Sequence, residues 1–317
     1  MWNLCSEILE HLPRVETRWG FPYVAGFPGF IQPDGARYEA TRPGQVFLEN
    51  METGRTFTWI WSSIVVMGQQ VCALCQITKD LKDFRKSHFI PAGLYHSGKK
   101  GLQYGTRSGT GRLEREIRDL LLCSTCEGLL DQGGESYVLS QIAAKVMDEF
   151  PLHRRLSLAL PRESYPDLSR FSGDDLGIEM EKFAHFALGI VWRAAIHDWT
   201  MPDGTLLPRQ AIGDFEPPIR SYLLGGTIPL DTSVIVIVCS DHQSRRIWST
   251  PTILIEANCL NLRFHARGVF FRVMMGYEMP EAFREMSCIS PRKCLFYGNA
   301  AHRMPEIMAI FEPTKVE

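Results

Sequence analysis

The spacing of apolar positions changes character along the chain, and each change marks a different kind of element. Residues 1–70 hold short apolar pieces between Gly- and Pro-rich turns. Ser6 to Leu12 reads as a short helix stopped by Pro13, and Gln45-Val-Phe-Leu and Thr56-Phe-Thr-Trp-Ile-Trp read as strands. From Glu127 to Phe150, the residues Leu129, Leu130, Val138, Ile142, Val146 and Phe150 recur at helical spacing. Gly133-Gly134 is the expected break in that helix. Pro151 to Arg170, with three prolines, reads as a linker. Ser172-Gly-Asp-Asp then opens a strong helix running to Trp199, with Phe183, Phe186, Ala187, Ile190, Val191 and Ala194 on its buried face. Beyond Ile228 the pattern turns to β-branched and alternating runs: Ser233–Cys239, Thr252–Ala257, Asn261–His265 and Val269–Met275. These runs predict a small antiparallel sheet. The expected architecture is α+β in three parts: a small accessory unit (1–70), a cysteine-bearing module (71–150) and a helix-plus-antiparallel-sheet domain (151–317).

Composition narrows the class. The apolar and charged fractions, 45% and 22%, are those of a globular protein with a sizeable core. The longest apolar runs, such as Val234–Cys239, fall far short of the ~20 residues a membrane helix needs. The first residues lack a basic stretch followed by an apolar run, so no export signal is expected. Nine cysteines, an odd number, then argue for reduced thiols and a cytoplasmic setting rather than a disulfide framework. Net charge is −2 overall, but between Gln76 and Leu122 ten Lys and Arg face five Asp and Glu. Positive charge is therefore concentrated in the cysteine-bearing part, as a phosphate-facing surface requires.

That part carries the chemistry. Cys72-Ala-Leu-Cys75 and Cys123-Ser-Thr-Cys126 are two Cys-x-x-Cys pairs. Each pair can supply two thiolates from one tight turn, and together they match a tetrahedral Zn²⁺. Four thiolates leave no open position on the metal, so such a site is structural, not catalytic. Neither pair sits between a strand and a helix of a βαβ unit, which sets aside a thioredoxin-like redox motif. Between the pairs lie Ser87-His88-Phe89-Ile90-Pro91 and, from Gly98 to Gly111, a Gly-rich segment that reads as a flexible loop. His185 and His197 fall on different faces of the long helix, so a shared metal is not expected.

The order Cys72-x-x-Cys75, then Ser87-His88-x-x-Pro91, then Leu121-Leu122-Cys123-x-x-Cys126-Glu127 opening a helix, resembles the zinc-bearing treble clef (ββα-like) of HNH endonucleases. The resemblance spans residues 71–140. It implies a metal-dependent endonuclease that hydrolyses phosphodiester bonds in nucleic acid, DNA first, in defence or mobile-element settings. It implies structural Zn²⁺ on the four cysteines, a catalytic Mg²⁺ or Mn²⁺, and His88 as the base that activates water. Ser87 stands where the family usually has the metal-binding Asp, and no histidine follows in the helix. Glu127 and Glu135, with Asp131 nearby, are then the carboxylates expected to rebuild a catalytic metal site, since hard cations take oxygen ligands. In this nuclease reading the C-terminal part, residues 151–317, is a sensing, regulatory or partner-binding module. A second reading stays open: a non-catalytic zinc protein whose decayed treble clef binds nucleic acid or another protein.

Overall fold

The computed structural model describes three strands between residues 36 and 60, and then residues 68–96, 102–106, 109–113, 115–142, 150–242, 244–256 and 258–298. The helix expected at Ser6–Leu12 and the residues around His302 lie outside these. The chain forms two compact units, Met1–Gly68 and Gln69–Glu317. In the first, Ala36–Arg42, Gln45–Asn50 and Arg55–Ile60 make a three-stranded antiparallel sheet, in keeping with the two strand-like runs read there.

The second unit is mixed α and β around one ten-stranded sheet. Its strand order is Glu163–Ser164, Leu168–Ser172, Cys294–Gly298, Thr232–Cys239, Val269–Met275, Cys259–Ala266, Ile247–Ser249, Leu102–Thr106 and Gly109–Leu113, with Thr252–Glu256 also against Cys259–Ala266. Most pairs are antiparallel, but Thr232–Cys239 runs parallel to Cys294–Gly298, and Ile247–Ser249 runs parallel to Leu102–Thr106. The sheet is thus larger than the small antiparallel one expected, and mixed. Four of the extra strands come from two segments read as loop and linker, and the other two are Ile247–Ser249 and Cys294–Gly298. The Gly-rich segment closes into a hairpin, Leu102–Thr106 against Gly109–Leu113, whose ladder bonds override the low strand propensity of glycine. The Pro-rich segment begins with a helix, Pro151–Leu158, because proline is well placed in a first helical turn.

The central strands are buried on both faces, which is why Thr232–Cys239 reads as a continuous β-branched run. On one face Val234, Val236, Val273, Phe271, Leu262 and Phe264 form cross-strand layers. Phe264 and Phe271 stack at 4.8 Å. The helix Met180–Ile196 lays Phe183 and Phe186 on Phe271, at ring distances of 6.5 and 5.5 Å. Each such large side chain contributes roughly 1.5–3 kcal/mol by leaving water.

This core is continuous from Cys72 to Leu295, so the cysteine-bearing segment and the C-terminal part share it. The junction is made by glycine. The helix Ser124–Leu130 passes into a π-helical turn, Asp131–Glu135, and then Ser136–Ile142, where a break was expected. A Cβ on Gly134 would stand 2.4 Å from the Lys182 carbonyl, and one on Gly133 would stand 2.1 Å from the His185 ring. The two glycines therefore let this path touch the long helix.

Candidate metal centre and its flanking polar groups

The first cysteine pair sits on the turn between two short paired strands, Gln69–Val71 and Thr78–Asp80. Cys72 donates its amide to Ile77 O at 3.1 Å and accepts the Gln76 amide at 2.8 Å. Gln76 takes a left-handed φ of 60°, which lets the turn close beneath the sulfurs. The second pair ends the strand Arg118–Cys123 and starts the helix Ser124–Leu130, with Cys126 in the first turn. Two hydrogen bonds join the arms: Ala73 N–H to Leu121 O at 3.1 Å, and Cys123 N–H to Cys72 Sγ at 3.4 Å.

The four Sγ atoms lie within 4.8 Å of one another. A tetrahedral metal–thiolate centre with bonds of about 2.3 Å needs sulfurs roughly 3.8 Å apart, so a small contraction suffices. All four thiols are reduced, and three of them are buried. Burial works against ionisation at Cys123, but hydrogen bonds from Cys126, Cys72 and Lys79 outweigh it and bring that thiol down to about 7. Burial and the neighbouring Cys123 push Cys126 up. A bound cation would relieve this crowding, and proton release would accompany binding. The four cysteines are therefore close enough to hold a metal ion.

His88 ends the strand Phe84–His88, which pairs antiparallel with Arg118–Cys123 so that His88 faces Arg118. Its Nε2 lies 3.1 Å from Glu116 Oε2. Arg118 Nη1 donates to the same carboxylate oxygen, also at 3.1 Å. A carboxylate accepts, so Nε2 is the donor in this pair. Sequence spacing offers no hint of Glu116. It lies twenty-eight residues from His88, and only strand register joins them. Beneath the dyad, Tyr95 sits with its ring 6.4 Å from that of His88, and its hydroxyl accepts the Ile117 amide at 3.1 Å. Burial pushes the Tyr95 hydroxyl well above its ordinary range, so it remains protonated.

Ser87 points the other way. It is fully buried, and its Oγ accepts the Leu122 amide at 3.0 Å, beside an irregularity in the pairing at Arg85/Lys86. A hydroxyl used in this way does not face a solvent-side cation.

Glu127 and Glu135 are brought together, but on a guanidinium. Arg193, 1% exposed, reaches Glu135 Oε1 with Nη1 at 2.5 Å and approaches Glu127 Oε2 with Nη2 at 4.0 Å. Burial pushes the Glu135 carboxyl up, and Arg193 opposes that shift. Burial also works against the charge on Arg193, but Glu135 and Glu127 outweigh it and hold the guanidinium protonated. A permanent cation thus already stands between the two carboxylates expected to bind a divalent ion. The residues do not fit a second metal there. Among the described residues, the four cysteines are the only cluster of three or more His, Cys, Asp or Glu side chains close enough for a metal.

His197 also finds a carboxylate: its Nε2 lies 3.0 Å from Asp119 Oδ2, with its ring edge-on to Trp199 at 4.8 Å. His185 packs on Tyr222 and the π-helical turn instead, and burial depresses it to about 4. No helix among the described residues is long and apolar enough to cross a membrane.

These features define a mixed α+β chain with a metal-competent four-cysteine cluster. No family model, curated protein or solved structure matches it.

Proposed function

We propose that residues 71–140 form a zinc-bearing, HNH-like treble clef and that the protein cleaves phosphodiester bonds in nucleic acid with His88 as general base. The observation that carries this reading is the His88–Glu116 pair at 3.1 Å, on a strand laced to the four-cysteine cluster. Glu116 fixes the imidazole tautomer and stabilises the cation formed when Nδ1 takes a proton from water. Imidazole suits this task because its ordinary titration lies near neutral pH. The exposed cations Arg85, Lys86 and Arg118 flank His88 and supply the phosphate contacts. Neutralising several phosphates in this way makes affinity fall steeply with salt. Zn²⁺ on Cys72, Cys75, Cys123 and Cys126 would hold the hairpin, the strand and the helix in place. No catalytic step is assigned to Mg²⁺ or Mn²⁺, because Ser87, Glu127 and Glu135 are all engaged elsewhere.

The same three engagements favour a second reading, a treble clef that binds nucleic acid without cutting it. One experiment separates the two. Purified protein is incubated with plasmid, single-stranded DNA and RNA, with and without Mg²⁺, beside His88→Ala and Glu116→Gln. The expected result is cleavage reduced about 100-fold or more by His88→Ala and less by Glu116→Gln. Equal cleavage by wild type and His88→Ala removes the assigned base. Salt-sensitive binding with no cleavage by any of the proteins establishes the binding module.

A further inference from the structure

A two-residue turn, Arg267-Gly268, joins the strands Cys259–Ala266 and Val269–Met275. Both residues have positive φ, 49° and 81°. This is the pattern of a type I′ hairpin turn, for which Asn or Gly is the ordinary first residue. An arginine there carries backbone strain. It is also buried, at 3% exposure, where a guanidinium is costly. Two costs at one position call for a return. The side chain supplies it: Nε and Nη2 both donate to the carbonyl of Leu94, at 3.1 and 2.6 Å.

Leu94 belongs to the short helix Ala92–His96 that follows His88-Phe89-Ile90-Pro91. The next residue, Tyr95, accepts the amide of Ile117, which lies between Glu116 and Arg118. Phe89 N–H in turn donates to Ile117 O at 3.0 Å. The contacts therefore run from Arg267 to Leu94, through Tyr95 to Ile117, and so to the two residues that hold and flank His88.

We infer that Arg267 is a positioning residue: from the large sheet it fixes the Ala92–His96 helix, and through Tyr95 it holds Glu116 against His88. The inference rests on the assignment of His88 as base, and it links that base to the C-terminal sheet through Leu94, Tyr95 and Ile117. It also yields a variant that spares the fold. Arg267→Asn suits the left-handed turn and removes the clamp.

The test uses the full chain. In Arg267→Asn the melting temperature is expected to stay within a few degrees of wild type, while the Ile117 amide exchanges about tenfold faster or more. The ¹⁵N signature of the His88 ring is expected to lose the single Nε2–H tautomer that Glu116 imposes. Turnover should fall about tenfold or more with KM little changed, and Arg267→Lys should restore part of it. Tyr95→Phe, which keeps the ring and removes the acceptor for Ile117, should show the same faster exchange. Wild-type Ile117 exchange and an unchanged His88 signature in both variants would overturn the positioning role. If the wild-type protein does not cleave nucleic acid, the functional reading fails instead, and the exchange and ring-nitrogen measurements still decide the role of Arg267.

Discussion

One short helix, Ser124–Leu130, serves two polar clusters that solve the same electrostatic problem in opposite ways. Cys126 is one of four crowded thiols, with the Lys79 amine, held up by its hydrogen bond to Cys123, beside them. Glu127, the next residue, joins a carboxylate pair with Arg193 between its members. The first cluster asks for a cation from solution; the second carries its own. Acidic residues beside a metal motif are thus poor evidence for a second metal until every arginine of the core has been placed. A guanidinium brought in by a distant helix can take the position first.

The strongest break in this comparison is Cys126→Ser. The cluster shares one core with the large sheet, so the loss should reach the whole Gln69–Glu317 unit rather than melt one knuckle. A structural zinc site is worth on the order of 10 kcal/mol. The expected outcome is about one equivalent of zinc in wild type, none in Cys126→Ser, and loss of the cooperative thermal transition by circular dichroism. A full transition in the zinc-free variant would show that the core folds without the metal.

Arg193→Met attacks the other cluster and should cost about 3–5 kcal/mol, because it leaves Glu135 buried without its partner. Urea denaturation measures this cost. Adding Glu135→Gln should recover part of it, and zinc content should not change in either variant. Loss of zinc in Arg193→Met would mean that the two clusters are one cooperative site, and the contrast between them would fall.

The two clusters also differed in how far the sequence revealed them. Four cysteines in two x-x-spaced pairs are local, and their chemistry is narrow, so the metal-competent cluster is readable before any fold. Arg193 left a fainter mark. With Phe186 and Ile190 it falls at i, i+4 and i+7 of the long helix, on the face otherwise given to the core. A charge at that spacing demands a buried acid, and Glu127 and Glu135 were already in hand. Glu116 left no mark of its own: its place beside His88 depends on the register of Phe84–His88 against Arg118–Cys123, which periodicity does not fix across a gap of that length. The same limit hid the hairpin Leu102–Leu113, whose strand identity comes from its neighbour Ile247–Ser249 rather than from its own glycine-rich text.

The smallest change sharpens the question most directly, because it falls on the residue beside His88. Ser87 stands where the resemblance calls for a metal-binding aspartate, yet its hydroxyl accepts the Leu122 amide inside the core. Strand alternation explains the arrangement: His88 faces outward, so its neighbour must face in. Ser87→Ala should therefore cost about 1–2 kcal/mol, the penalty of an unpaired buried amide, with cleavage and its dependence on added Mg²⁺ unchanged. Ser87→Asp should cost more, since it places a carboxylate at a fully buried position, and it should not confer metal-stimulated cleavage. If Ser87→Asp instead folds as well as wild type and gains Mg²⁺ dependence, the strand can turn that residue outward. The divalent-metal chemistry of HNH enzymes would then be within one substitution of this site.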